Sequence, residues 1–287
     1  MNRFLKNSLH FGVYLLLISL ACFTVIKTTY YDKYTLFDSS FNTYLFADSH
    51  GDQLDTIMET YGIFNFSDPS DSYEDMLRKI KYTVANSEVI KIIISVDLHN
   101  LSTYREENNN LDRSSIYANK DDYDSTYDQF LQQYFRRYVP LLHGKSRDAL
   151  LMHIKSLIPK PFTPKLAWNE KSNIKRTSQA KQRTDIHFDA SERSEKMENL
   201  LLEIITICQE NSIELQGIKF PLTTEYRMQI KGRGYVAEDI LKTHSYNVVD
   251  YTKYFDGHSE YFRDQDHVNT MGALILASEL KKQRYTP

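Results

Sequence analysis

Short apolar runs alternate with amphipathic helical patterns along this chain, and the alternation constrains the fold more than any other feature. The clearest run is VIKIIISVD (89–97), whose continuous β-branched residues are typical of a strand buried on both faces. Shorter strand patterns lie at 42–49, 63–67, 213–222 and 246–252. Helical patterns lie between or after them, at 51–62, 71–86, 194–212, 234–245 and 270–283. We therefore predict an α/β fold of three layers, a mostly parallel sheet with helices on both faces.

A second long apolar segment lies at the N-terminus. Residues 9–26 (LHFGVYLLLISLACFTVI) contain no ionised side chain apart from His10, and about 18 such residues are close to the minimum for a membrane-spanning helix. Arg3 and Lys6 precede the run, so the N-terminus is predicted to stay in the cytoplasm and the remainder to cross. We predict an uncleaved membrane anchor at 1–30; a cleaved signal peptide and a buried core helix are the alternatives.

Composition and length limit the remaining chain. With 287 residues, 41% of them hydrophobic, residues 31–287 can form one catalytic-sized domain. The formal net charge of −3, with no basic stripe, argues against nucleic acid as a partner. The segment from about 101 to 191 breaks the rhythm of strands and helices, and we interpret it as an insertion forming a lid or substrate wall. Disorder of its polar stretches, 105–122 and 169–190, is the alternative.

Two short motifs carry the chemistry. ADSHG (47–51) directly follows the first strand, where sites in α/β folds lie. DQDH, close to the C-terminus, places Asp264 three residues before His267. At that spacing the carboxylate can fold back on the imidazole, fix its tautomer and stabilise the imidazolium. Asp266, adjacent to His267, is expected to point elsewhere as a solvated or capping residue.

These motifs resemble the first and last motif blocks of the SGNH (GDSL-like) hydrolase superfamily. The anchored layout, with FPLTTEY, VVDYT and YFRDQDHVNTMGA, is similar to the branch that contains the alginate O-acetylation proteins and the proteins of D-alanyl lipoteichoic acid transfer. The resemblance covers residues 43–105 and 196–282. It implies an SGNH/flavodoxin-like fold in which Ser49 is the nucleophile, His267 the general base and Asp264 its orienting carboxylate.

The resemblance departs from the family pattern at the oxyanion hole. The second block, Asn-x-Gly, falls on NFS, so Ser67 replaces the glycine whose backbone N–H serves the hole. The third block, Gly-x-Asn-Asp, falls near LHNL, which leaves Asn100 as a candidate side-chain donor beside the backbone of Ser49. Because each lost donor costs roughly 3 to 4 kcal/mol, these departures predict slow or specialised chemistry.

The resemblance and the outward-facing anchor together predict an acyl esterase or O-acyltransferase acting on a cell-surface or exported polysaccharide, without cofactor or metal. A transferase would receive its acyl group from a multi-spanning membrane partner. The expected location is the bacterial inner membrane, as a single-pass protein whose catalytic domain faces the periplasm or the cell exterior.

Two other functions stay open. Asp48 and His50 form a D-x-H pair of the kind that binds metal in phosphoesterases. Against this interpretation, the chain has no Gly-Asn-His-Asp/Glu stretch and no late Gly-His-x-His. The second alternative is a catalytically silent relative that binds glycan within a polysaccharide modification system.

Overall fold

The fold is described from a computed structural model that covers residues 2–123, 125–159, 166–188 and 193–284. The strands are β1 (Thr43–Phe46), β2 (Phe64–Asn65), β3 (Lys91–Ser95), β4 (Glu214–Lys219) and β5 (Asn247–Asp250). The α-helices up to the middle of the chain are α1 (Asn2–Ile26), α2 (Ser49–Asp52), α3 (Tyr73–Asn86), α4 (Tyr104–Glu107), α5 (Leu111–Ser114), α6 (Thr126–Gln129), α7 (Arg136–Tyr138) and α8 (Gly144–Leu157). Those that follow are α9 (Asn173–His187), α10 (Glu195–Glu210), α11 (Thr224–Ile230), α12 (Ala237–Thr243) and α13 (Thr270–Arg284).

The strands form one parallel sheet in the order β2-β1-β3-β4-β5, so the predicted α/β fold is confirmed. The chain leaves β1 toward β2 on one side and returns to add β3 on the other. The carboxyl ends of β1 and β3 therefore flank the switch point at which α/β folds form their sites. Ser49 follows the first of these strands, and Asp97 follows the second.

Helices cover both faces of the sheet. Leu45, Ile93 and Ile218 share a buried cluster with the side chains that α13 contributes, which are Ala273, Leu276, Ala277 and Leu280. Gly217, next to Ile218, points to the opposite face because strand side chains alternate. A Cβ added there would lie 2.8 Å from Leu241 Cδ2, so α12 packs directly on the backbone of β4.

Residues 51–62 do not form the single short helix that their pattern predicts. Helix α2 ends at Asp52, and two 3-10 turns, Asp55–Ile57 and Glu59–Tyr61, follow it. Asp55 has a φ of 41°, in the left-handed region, which interrupts any continuous α-helix here. Gly62, with a φ of 73°, ends the segment as expected.

Contacts between residues divide the chain into two compact units. The first comprises residues 1–36 and 111–163, and the second 37–110 and 164–287. The predicted insertion is thus shared, because 111–163 belong with the N-terminal helix, and 101–110 and 164–191 belong with the sheet. Helix α9 lies in the polar stretch 169–190 and packs on α11. The domain boundaries at residue 30 and the role of the insertion as a lid stay predictions.

The N-terminal helix has the length and composition of a membrane span. Counted through the π- and 3-10-helical turns that follow α1, it runs from Arg3 to Thr35; its apolar window has a mean hydropathy of 2.2 and is 6% buried. Among the helices of the described residues, this helix alone is long and apolar enough to cross a membrane. A signal sequence near an N-terminus has the same properties.

The start of α13 gives a stability prediction. A Cβ added at Gly272 would lie 2.5 Å from the carbonyl oxygen of Tyr261, a backbone atom that cannot move aside as a side-chain tip can. We expect Gly272→Ala to lower the free energy of unfolding by about 1–3 kcal/mol, measured from denaturant unfolding curves. Gly144→Ala is the matched control, since this glycine also lies in the first turn of a helix and its nearest neighbour, an arginine side-chain tip, is 3.9 Å away. The control should be neutral or stabilised by up to about 1 kcal/mol, and equal stability of the two variants would contradict this view of the packing.

Candidate active site

Ser49 lies at a sharp turn between β1 and α2. Asp48 caps the helix, since its Oδ1 accepts a hydrogen bond from the His50 N–H at 3.0 Å. As the first residue of α2, Ser49 has a backbone N–H that the helix itself does not use. No acceptor for this N–H lies within the described part of the chain. The turn thus presents a hydroxyl and an available N–H at the end of a central strand.

The second motif lies on a loop that is closed at its base. Phe262 and Val268 form an antiparallel bridge, and the Asn269 N–H donates to the Tyr261 carbonyl at 2.8 Å. Within the loop, the Arg263 N–H donates to the carbonyl of His267 at 2.9 Å. These bonds hold the residues of DQDH in a compact turn just before α13.

The structure brings Ser49, His267 and Asp264 together. His267 Nε2 lies 2.8 Å from Ser49 Oγ, and His267 Nδ1 lies 2.8 Å from Asp264 Oδ1. The same Asp264 oxygen accepts the backbone N–H of His267 at 2.9 Å, so the carboxylate folds back within one turn of chain. This is the connectivity that a serine nucleophile, a general base and an orienting carboxylate require.

Asp266 does not point away from the site, so its interpretation as a solvated or capping residue is wrong. It is 1% exposed, and its Oδ1 lies 3.1 Å from His267 Nδ1. Its Oδ2 accepts a hydrogen bond from Arg183 Nε at 2.8 Å. His267 therefore faces two carboxylates, the half-exposed Asp264 and the buried Asp266.

The two carboxylates influence the protonation of His267. Burial acts to lower the pKa of His267, but Asp266 and the hydrogen bond to Asp264 more than offset it and raise this pKa above its usual value of 6.5. Burial acts in turn to raise the pKa of Asp266, yet His267, His50 and Arg183 hold it well below its usual range. Asp266 is therefore a permanent negative charge beside the imidazole.

A second buried imidazole, that of His50, lies next to Asp266. His50 Nδ1 lies 2.8 Å from Asp97 Oδ2, and His50 Nε2 lies 3.9 Å from Asp266 Oδ2. The other oxygen of Asp97 accepts the Phe220 N–H at 2.9 Å, which fixes the carboxylate between β3 and β4. Burial would lower the pKa of His50, but Asp48 and Asp97 raise it well above its usual value, so we take His50 as a buried imidazolium.

A third buried pair, His99 and Asp48, adjoins the Ser49 turn. His99 Nε2 lies 2.7 Å from Asp48 Oδ2, and a guanidinium nitrogen of Arg105 lies 3.6 Å from the same oxygen. Burial lowers the pKa of His99, so this imidazole is neutral and donates from Nε2 to the carboxylate. The cap residue of the Ser49 turn is thus held by one hydrogen bond from His99 and a longer ion pair with Arg105.

Several of these residues were not singled out as site residues from the sequence. Asp97 and His99 lie two and four residues after β3, and that position was the only signal available for them. Arg183 comes from α9, and a contact with a residue 83 positions further along the chain leaves no local signal. His50 was considered only as a metal ligand.

The other two predicted oxyanion donors, unlike the Ser49 N–H, have hydrogen-bond partners within the protein. The Ser67 N–H donates to Asn65 Oδ1 at 3.2 Å, whereas the Ser67 hydroxyl is buried without a partner. That hydroxyl packs on the α2 turn, since a Cβ added at Gly51 would lie 2.5 Å from it. The Asn100 amide donates to the carbonyl and hydroxyl of Ser95, at 3.2 and 2.8 Å, so both of its N–H groups are engaged. As placed here, neither the Ser67 N–H nor the Asn100 amide is available to a substrate oxygen.

Two groups in this region have ligand atoms close enough to hold a metal ion. They are Asp48, His50 and His99, and His50, Asp266 and His267, with the atoms of each group within 4.8 Å of one another. His50 belongs to both groups. A metal ligand must be deprotonated, whereas the paired carboxylates favour protonated His50. Metal binding here would have to displace a proton from a buried ion pair.

Comparisons with known proteins add little beyond the fold. No family model matches the chain, and no curated protein matches it. Among solved structures, the lipase/acylhydrolase from Enterococcus faecalis is similar over 85% of this chain and 94% of that chain, at 14% identity and a TM-score of 0.37. A likeness of this degree carries no argument about activity.

The position of Asp266 predicts a shift in pH dependence. His267 must be neutral to accept a proton, so a raised pKa places the rising limb of kcat/KM for ester hydrolysis above pH 6.5. Asp266→Asn removes a negative charge at 3.1 Å from Nδ1, so the limb should move to lower pH while the plateau falls. Asp256→Asn, a change of the same type at a half-exposed surface pair with Arg227, should leave the limb in place.

Near-ultraviolet circular dichroism would check that the Asp266 variant is folded. A folded variant whose rising limb coincides with that of the wild type would show that Asp266 does not act on His267.

Proposed function

We propose that this protein is a serine-dependent acyl esterase or O-acyltransferase of the SGNH type. The observation that carries the proposal is the pair of contacts made by one imidazole, 2.8 Å from Nε2 to Ser49 Oγ and 2.8 Å from Nδ1 to Asp264 Oδ1. A buried histidine seldom links a half-buried hydroxyl to a carboxylate for stability alone, because the hydroxyl could be satisfied by water. The position of Ser49 at the switch point of the sheet supports the same function.

The proposed reaction passes through a covalent intermediate. Ser49 Oγ attacks the ester carbonyl while His267 Nε2 takes the hydroxyl proton, and the carbonyl oxygen becomes an oxyanion beside the Ser49 N–H. The tetrahedral intermediate then collapses, and His267 delivers the proton to the departing alcohol. The acyl group remains on Ser49 until water or a second hydroxyl attacks it, again with His267 as base, which restores the free serine.

Asp264 and Asp266 have different roles in this scheme. Asp264 bonds both the backbone N–H and Nδ1 of His267, so it fixes the tautomer and the direction of Nε2. Asp266 is buried, and its charge stabilises the imidazolium as it forms. Because Arg183 and His50 also face Asp266, this charge is partly neutralised and the imidazole is not held permanently protonated.

The substrate proposal rests on the resemblance and on the surface near the site. The carboxyl ends of β4 and β5 border a cavity of about 520 Å³, whose lining includes Lys219, Leu222, Arg227, Lys231 and Lys253. Such a cavity can take part of a large polar molecule. We propose O-acyl groups on a cell-surface or exported polysaccharide as the substrate, with water or a sugar hydroxyl as the acceptor.

The location is part of the same proposal. A retained N-terminal helix would make the protein single-pass, in the bacterial inner membrane, with the sheet unit in the periplasm or at the cell exterior. A transferase placed there has no cytosolic acyl donor, so a multi-spanning membrane protein is the proposed source of the acyl group.

The triad predicts non-additive losses of activity. Ser49→Ala and His267→Ala should each lower the turnover of a small ester such as p-nitrophenyl acetate by roughly 10⁴- to 10⁶-fold, and the double variant should be no worse than either. Asp264→Asn should cost less than either. An organophosphonate probe should label the wild type at Ser49 and leave Ser49→Ala unlabelled.

Ser67→Ala serves as a comparison within the same region, because it removes a hydroxyl near the α2 turn without touching the triad. A folded Ser49→Ala variant with wild-type turnover would overturn the assignment of the nucleophile. A wild type that is neither labelled nor active, yet binds glycan, would support the silent binding component instead.

The metal-dependent phosphoesterase remains the second candidate, because Asp48, His50 and His99 lie close enough to share an ion. The serine mechanism has no step that needs a metal, so ester hydrolysis should be unchanged after EDTA treatment and dialysis. Phosphodiester cleavage that is lost with EDTA and restored by Mn²⁺ would assign the site to the metal class. Asp48→Asn would then abolish activity, whereas in the serine mechanism it weakens the cap of α2.

A further inference from the structure

We infer that residues 126–158, hereafter the apolar insertion, lie in the lipid bilayer interface beside α1, so that the first unit is held to the membrane by two elements. This inference rests on the proposed membrane location of α1 and is independent of the serine chemistry. It follows from three observations on the first unit: how α1 packs, which face of α8 it covers, and what the apolar insertion leaves exposed.

Helix α1 is covered on one face near its C-terminal end. Cys22 and Phe23 are half-buried there and Ile26 is fully buried, whereas most of the preceding helix is exposed. The elements that pack against α1 in this unit are Pro140–Leu142 and α8. Cys22 to Ile26 spans about 6 Å of helix at 1.5 Å per residue, and all of it lies inside the apolar run 9–26. The apolar insertion therefore contacts α1 at a depth that the bilayer would occupy.

Helix α8 presents a matching face. Ser146 is buried, and the side chains at Ala149, Leu150 and His153 are half-buried, at the three- and four-residue spacing of one helical face. Ser146 Oγ lies 3.0 Å from the hydroxyl of Tyr31, just beyond α1, so the first turn of α8 is at the end of the anchor. Helices α1 and α8 therefore pack against each other.

The rest of the apolar insertion exposes large apolar side chains. Those of the last turns of α8 and its flanks are Leu142, Leu151, Met152, Ile154, Leu157 and Ile158, and the aromatic ones nearer its start are Tyr127, Phe130, Tyr134 and Tyr138. Leaving large apolar side chains in water is unfavourable, and soluble proteins rarely expose large apolar patches unless these bind a partner or a membrane. Exposed tyrosines beside an apolar surface are typical of the membrane interface. Arg147, exposed in the first turn of α8, suits phospholipid headgroups, whereas Lys145 faces Asp112 at 3.8 Å.

The bilayer is the occupant that the geometry favours over a partner protein. Helix α8 packs on α1, and the covered stretch Cys22–Ile26 lies inside the apolar run 9–26, so a bilayer that surrounds this run also reaches α8. The packing of α8 on α1 favours an anchor over a signal peptide, because cleavage after residue 26 would expose the face of α8 that α1 covers. A retained α1 and a lipid-seated apolar insertion are mutually consistent.

The test compares three exposed positions of equal accessibility in the full-length protein. Leu16 on α1 is 69% exposed, Met152 on α8 69%, and Met228 on α11, in the second unit, 70%. Each is changed singly to cysteine in a Cys22→Ala background and labelled with an NBD maleimide. Cys208 does not interfere, since it is fully buried and burial raises the pKa of its thiol to about 12. The labelled proteins are reconstituted in vesicles of phosphatidylethanolamine and phosphatidylglycerol.

Nitroxide-labelled lipids and aqueous iodide then report the environment of each probe. We expect the probe at 152 to be quenched by a nitroxide near the headgroups, the probe at 16 by a nitroxide deeper in the acyl chains, and the probe at 228 by iodide alone. If the probe at 152 behaves like that at 228 while the probe at 16 reports lipid, the anchor stands and the inference is overturned. If the probe at 16 is quenched by iodide alone, both the proposed anchor and the inference about the apolar insertion are contradicted.

A probe at 152 that is shielded from lipid nitroxides and iodide alike would show that protein covers the apolar insertion, which also overturns the inference. Ester hydrolysis by the variants at 16 and 152, measured on the same vesicles, separates these outcomes from the triad proposal, since both residues lie in the first unit, whereas Met228 lines the cavity proposed for the substrate.

Discussion

The candidate site depends on one buried negative charge, that of Asp266. Its carboxylate meets His267 on one oxygen and Arg183 on the other, with His50 3.9 Å away. A fully buried carboxylate is stable only when it is paired, and removing one partner of such a pair typically costs about 3–5 kcal/mol. The positions of the loop that carries DQDH, of α9 and of the Ser49 turn are therefore coupled through a single side chain.

The wider network balances charge around that carboxylate. Asp48 and Asp97 are buried beside it, and the cations that face the three acids are His50, Arg105 and Arg183. Each carboxylate also has a role in the backbone, since Asp48 caps α2 and Asp97 accepts the N–H that follows β4. The network thus fixes the ends of β1, β3 and β4 relative to one another. Such rigidity suits a site in which a proton moves between atoms 2.8 Å apart.

The sequence predicts the fold well because its signals are local. Strands β1 and β3, which are buried on both faces, are short apolar runs, whereas the buried β4 mixes apolar residues with Gln216 and Lys219. Ser49 could be selected by its place at the end of a strand, and Asp264 and His267 by their spacing of three residues. The role of Asp266 was misjudged because its side chain was expected to point away from that of the adjacent His267. The closed loop instead turns the carboxylates of Asp264 and Asp266 toward His267 Nδ1.

Long-range contacts mark the limit of such reasoning. Arg183 lies in a polar run without apolar periodicity, and only the packing of α9 on α11 brings it to Asp266. The packing of α8 on α1 also cannot be predicted from the sequence, because the apolar residues of the insertion are equally typical of a buried core helix. In both cases the informative quantity is which face of a helix is covered, and that depends on residues far away in the chain.

The proposed oxyanion hole is the least complete part of the candidate site. Of the donors that the resemblance implies, the Ser49 N–H alone is unengaged, since the Ser67 N–H and the Asn100 amide have partners within the protein. Each missing donor costs about 3–4 kcal/mol of transition-state stabilisation. In the proposed serine mechanism, the binding energy of a specific substrate has to replace what the missing donors would supply. Such a site would act on esters that are well seated at Ser49 and only slowly on others, because a small ester brings little binding energy with it.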